Sequence, residues 1–127
     1  MQGKHLFEYA IIRIVPRVER EEFLNVGIIL YCKDLKFLDT IYSVNKERLN
    51  ALCAEVDCHE VEEHLQSFLK IAKGEKDGGP IAALDLPSRF RWLTATRSTI
   101  IQTSKVHPGF CEDPNETLQK LYTKLVL

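Results

Sequence analysis

A chain of 127 residues has the length of one domain, and a domain of that size buries roughly 65–70% of the surface its unfolded form exposes. Hydrophobic residues at 45% and charged residues at 28% exclude a disordered chain. Seventeen basic residues against eighteen acidic ones leave a net charge of −1, which argues against a binder held to duplex DNA by bulk charge.

No apolar run approaches the roughly 20 residues of a membrane helix, and the N-terminus lacks a signal-peptide layout. A cytoplasmic protein with no membrane association is therefore expected. Cys32, Cys53, Cys58 and Cys111 are expected as reduced thiols in that compartment. Cys32 and Cys53 have the setting of small buried hydrophobes.

The first element is a strand over residues 6–15. Phe7, Tyr9, Ile11 and Val15 mark one face, and Leu6, Ala10, Ile12 and Ile14 the other. Both faces are apolar, the pattern of a strand covered on both sides. Pro16 ends it by removing a ladder donor. Residues 17–24 are charged and read as a loop or one short helical turn. A second two-sided strand spans 26–32, with Gly27 marking a bulge or a close approach. Residues 33–36 turn into a third strand at 37–44, which completes an antiparallel meander.

Helices follow. Leu49, Leu52, Cys53 and Val56 recur at helical spacing, and Asp57 with Glu60 forms a capping box that opens a second helix. Val61, Leu65, Phe68, Leu69 and Ala72 are its apolar stripe, and Gly74 is its stop. Residues 75–80 form a short flexible connection. Residues 87–93 read as a short helix or turn, and 97–106 as a fourth strand broken by His107-Pro108-Gly109. Asp113-Pro114 starts the last helix, whose core face is Leu118, Leu121, Tyr122 and Leu125. The expected fold is a single α+β domain over 1–127, with an antiparallel sheet of about four strands. Strands one and two are central, and helices from the middle and C-terminus pack against them.

Charge is unevenly spread along this frame. Residues 33–86 carry seven basic and eleven acidic groups, whereas 87–111 carry four basic groups (Arg89, Arg91, Arg97, Lys105) and no acid. The same basic stretch holds Ser88, Thr94, Thr96, Ser98, Thr99, Gln102, Thr103, Ser104 and His107. Guanidinium forks and hydroxyls present several directed donors, the chemistry that holds phosphate or carboxylate oxygens. The bland alternative is an edge strand protected by charge.

Arg13 is the second anomaly, a guanidinium inside an apolar run that must find solvent, an acid or an anion. It reads either as part of a local ion-pair network with Arg17, Arg20 and their glutamates, or as one anion site joined to Arg17 and Arg97. Metal chemistry is not expected: Cys53, Cys58, His59 and His64 lack ligand spacing, and His64 reads as packed beside the apolar stripe. Cys111 near His107 has no orienting third group for a thiol nucleophile. Phosphate-loop, dinucleotide and hydrolase signatures are lacking, so no cofactor is expected.

Several segments resemble one family. Glu8-Tyr9-Ala10, Arg13-Ile14-Val15-Pro16-Arg17, Asn25-Val26-Gly27, Phe90-Arg91-Trp92-Leu93, Arg97-Ser98-Thr99, Val106-His107-Pro108-Gly109 and Asp113-Pro114 are similar to the signatures of DUF3037. This is a small bacterial family with no assigned chemistry. The resemblance covers nearly the whole chain. It implies a companion of a HipA-like kinase-fold protein, because family members are often encoded beside one.

Two function classes remain. The leading one is a binding or regulatory module without catalysis of its own, acting through a protein partner at Arg97, Ser98, Thr99 and His107. The other is an enzyme or sensor for a phosphorylated small molecule or nucleic-acid end. In it Arg13, Arg17 and Arg97 hold the anion and His107 serves as acid or base.

Overall fold

The computed structural model describes residues 3–127. Its centre is β1 (His5–Ile14), antiparallel along one edge to β2 (Leu24–Cys32), which pairs in turn with β3 (Phe37–Tyr42). The opposite edge of β1 is shared by two short strands. β4 (Ile101–Thr103) pairs with its C-terminal end and β5 (His107–Cys111) with its N-terminal half. The result is a five-stranded antiparallel sheet with β1 and β2 inside it.

Both faces of those two strands are covered, which explains their two-sided apolar pattern. Ala10, Ile12, Ile14, Val26, Ile29 and Tyr31 face one core. Above it lie α1 (Lys46–Leu52), α2 (Cys58–Lys73) and α3 (Leu86–Leu93). Phe7, Ile28, Leu30 and Cys32 face a second, smaller core closed by Leu118, Tyr122 and Leu125 of α4 (Pro114–Leu125). The molecule is thus an α+β fold with helices on both sides of one sheet.

Local chemistry sets the helix ends. Asp57 accepts from the backbone N–H groups of His59 and Glu60, Asp85 from Ser88, and Asp113 from Asn115 and Glu116. Each satisfies donors that the first helical turn leaves unpaired. Gly74 ends α2 in the left-handed conformation at φ 68°, a position suited to glycine. The buried stripe of α2 is Val61, Leu65, Phe68, Ile71 and Ala72. Ile71 therefore takes the place expected for Leu69, which is only half-buried. α1 stops at Leu52, one residue short of Cys53. Val56, which shares the helical spacing, lies outside the helix but still packs on the core.

Three expectations need correction. The strand expected over 97–106 is confined to Ile101–Thr103. The ladder breaks at Ser104, whose hydroxyl, rather than a main-chain carbonyl, accepts the Ile11 N–H at 2.8 Å. A side-chain acceptor of this kind competes with the regular ladder. Second, His107-Pro108-Gly109 does not break a strand; it begins β5. Pro108 is tolerated there because β5 lies at the edge of the sheet. Third, His64 is not packed. Its side chain is 53% exposed and lies 3.7 Å from Glu60 one turn earlier on α2.

Gly27 answers a steric demand. The β1–β2 register steps from Ile12 opposite Gly27 to Arg13 opposite Asn25, which is a bulge. A methyl group at Gly27 would stand 2.6 Å from the Ile41 carbonyl oxygen and 2.8 Å from Tyr42 Cβ. Both contacts are with the neighbouring strand, which cannot swing away. Gly27→Ala is expected to destabilise the fold by about 1–3 kcal/mol, read as a lower urea midpoint. An unchanged midpoint would mean that β3 yields at this point.

Candidate functional site

Several of the cationic side chains are balanced locally. Arg91 donates two hydrogen bonds to Glu8, at 2.6 and 3.0 Å, which ties α3 to β1. The Arg20 guanidinium pairs with Glu22, and Lys70 with Asp77 at 2.8 Å. Arg17 lies 3.1 Å from Glu55 in a cavity of about 350 Å³ that also holds Arg20, Glu22, Cys53 and Ala54. Arginines and glutamates offset one another there.

Arg13 and Arg97 differ from these. Among the described residues, neither guanidinium has a carboxylate within 4.0 Å. Arg13 leaves β1 just past the bulge and lays its guanidinium 3.9 Å from the centre of the Phe23 ring. Its Nε is buried and has no hydrogen-bond partner. Arg97 lays its guanidinium 4.0 Å from the centre of the Trp92 ring and donates from Nη2 to the Trp92 carbonyl. An aromatic face offsets part of the lost hydration of a cation, by about 0.5–2 kcal/mol, but it does not neutralise the charge. Burial lowers the pKa of both groups below the ordinary arginine value. Arginine nevertheless stays charged in proteins.

These two guanidiniums line one open cavity of about 430 Å³, with Ser98, Thr96, Gln102 and Glu21 around it and Val15, Val18 and Phe23 as its apolar wall. The geometry is held from several directions. Phe90 and Leu93 anchor α3 in the core, and Phe90 stacks on Tyr31 with ring centres 5.3 Å apart. The Thr94 hydroxyl donates to the Phe90 carbonyl at 2.8 Å. Beyond α3, the Gln102 amide donates to the Thr99 carbonyl, and the Val15 N–H donates to the Ile100 carbonyl at 2.7 Å. These bonds pin residues 94–100 beside the end of β1, which brings Arg97 to the cavity of Arg13.

The residues singled out from the sequence separate accordingly. Arg13, Arg97 and Ser98 come together. Arg17 does not join them, because the chain turns at Pro16 and carries it to the neighbouring cavity against Glu55. Thr99 lies on the other side of Arg97, in a small recess with His64 and Trp92. Its hydroxyl is bound to the Ile101 carbonyl. His107 is on β5, with its ring centre 5.3 Å from that of Tyr9, and is not part of the cavity lining. Cys111 is buried, and the loss of hydration, followed by the nearby thiol of Cys32, raises its pKa. That is the reverse of an activated nucleophile. Phe23 does not stand out in the sequence, and Glu21, which reads there as part of the ion-pair network of Arg17 and Arg20, lines the Arg13–Arg97 cavity instead. The available signal was an aromatic residue at the end of a charged loop, close in sequence to an arginine without an evident partner.

Chemically, the arrangement offers two planar cations, hydroxyl and amide donors, one carboxylate and an apolar wall. It is equipped to hold an oxyanion. Among the described residues no cluster of His, Cys, Asp and Glu is arranged to hold a metal ion, and no helix is long and apolar enough to cross a membrane.

The model of a family described as a protein of unknown function (DUF3037) matches residues 9–126. No curated protein and no solved structure matches the chain.

A guanidinium buried without an acid should sit at some cost to stability. Arg13→Met keeps the length and the contact with Phe23 while removing the charge. The variant is expected to be at least as stable as the parent in urea denaturation. Arg91→Met, which strands Glu8, is expected to lose about 1 kcal/mol. A large loss for Arg13→Met would make Arg13 a structural residue.

Proposed function

The chain belongs to the DUF3037 family, whose description assigns no activity. We propose from its geometry that it is a binding module whose Arg13–Arg97 cavity holds the phosphate or carboxylate group of a ligand. One observation carries the reading: two partly buried guanidiniums, without carboxylate partners among the described residues, line a single open cavity. Arg17, Arg20 and Arg91 pair with glutamates of the chain, and Arg89, whose Nε is likewise buried without a partner, donates to the Leu84 carbonyl. Arg13 and Arg97 stand apart in bringing two guanidiniums without carboxylate partners to one open cavity, which suits an external anion. The cavity volume of about 430 Å³ falls in the range of small-molecule sites.

A sensor or regulatory role suits this lining better than catalysis. Apart from the arginines, Glu21 is the one charged side chain of the lining, with no second acid or base paired to it there. The second reading makes the anion a group on a protein partner. Val18, Phe23 and Trp92 support it by remaining about 40% exposed, the kind of apolar surface a partner covers. The HipA-like kinase-fold neighbour is the candidate partner, on the strength of the family resemblance alone. A cytoplasmic setting belongs to the same proposal.

Inorganic phosphate and pyrophosphate test the cavity directly. Either anion is expected to raise the thermal midpoint of the native protein, because a ligand of the folded state stabilises it. Arg13→Ala and Arg97→Ala should each weaken binding by about tenfold or more, and Arg17→Ala should leave it unchanged. Equal responses from all four proteins would place the anion elsewhere.

A further inference from the structure

We infer that the Arg13–Arg97 cavity is built for a zwitterion, a ligand whose anionic head spans the guanidiniums and whose ammonium group meets Glu21. The inference rests on the anion-binding reading and names the ligand class for the same site.

Glu21 is the carboxylate among the residues lining the cavity. Its position is specific. It closes the single 3-10 turn Val18–Arg20 in the left-handed conformation, φ 54° and ψ 20°, with its N–H bound to the Val18 carbonyl at 3.1 Å. Residues other than glycine are uncommon in that region, and the surroundings must hold them there. Its neighbour Glu22 pairs with Arg20 on the far side of the turn. Glu21 forms no such pair among the described residues: although it shares the cavity with two guanidiniums, it lies beyond 4.0 Å of both.

A carboxylate that lines a cationic cavity without closing on the cations leaves a separation of charge across the space. A simple phosphate would satisfy the arginines but face repulsion from Glu21. A ligand with a phosphate or carboxylate at one end and an ammonium at the other satisfies both sides. Val15, Val18 and Phe23 supply an apolar wall for the carbons between the two charged ends. Ser98, Thr96 and Gln102 add neutral donors to the same lining.

Two probes of equal length isolate the ammonium. O-phosphoethanolamine and propyl phosphate share the phosphate and differ by an ammonium in place of a methyl group. In titration calorimetry at neutral pH, phosphoethanolamine is expected to bind the native protein about tenfold tighter. Glu21→Gln is expected to abolish the difference and to tighten the binding of propyl phosphate. Equal affinity of the native protein for both probes overturns the zwitterion inference and leaves the anion site standing. A preference that survives in Glu21→Gln overturns the role of Glu21. Binding of neither probe removes the anion site and this inference with it. The comparison on the native protein needs no variant, so it stands whatever the substitution does to the turn.

Discussion

The guanidinium of Arg13 is held half inside the protein against an aromatic ring, and the functional end of the molecule is organised around that contact. β1 has hydrogen-bonded neighbours on both edges, and the main chain at Arg13 is fixed between Asn25 and Gln102. Beyond the bulge, Arg13 meets Phe23 rather than a carboxylate. Leaving a cation in such a place is unfavourable unless something compensates. The Phe23 ring compensates in part, and the open cavity leaves room for an anion to supply the rest.

Topology determines which other groups reach that cavity. The chain returns to the free edge of β1 twice, and Ser104 separates the two returns by intercepting the Ile11 N–H. Because β4 is only three residues long, the segment before it is not drawn into the ladder. That segment stays beside the end of β1, held by Gln102 and by the main chain of Val15. A longer regular strand would have carried Arg97 along the edge instead of folding it over Trp92. The same break leaves β5 free to pair with the other half of β1, which places His107 on Tyr9, outside the cavity lining.

Features governed by short-range chemistry could be read from the sequence. The two-sided apolar runs of β1 and β2 gave away the centre of the sheet, because only strands covered on both faces carry that pattern. Asp57, Asp113 and Gly74 marked helix ends through contacts within a few residues. Features set by long-range contact could not be read. The division between β4 and β5 depends on a hydrogen bond across 93 residues. The meeting of Arg13 with Arg97 follows from strand order, and Arg17, turned away at Pro16, meets Glu55, 38 residues away. The acid-free stretch at residues 87–111 and the misplaced Arg13 were each visible as anomalies. Their shared cavity became visible only with the sheet assembled.

The central claim is that Arg13 and Arg97 act on one external anion. Nuclear magnetic resonance of the arginine Nε–H groups during a titration with inorganic phosphate addresses it most directly. The account predicts that the Arg13 and Arg97 signals shift together along one saturation curve, while those of Arg17 and Arg91 stay still. Shifts at Arg17 or Arg91 with Arg13 and Arg97 unmoved would contradict it.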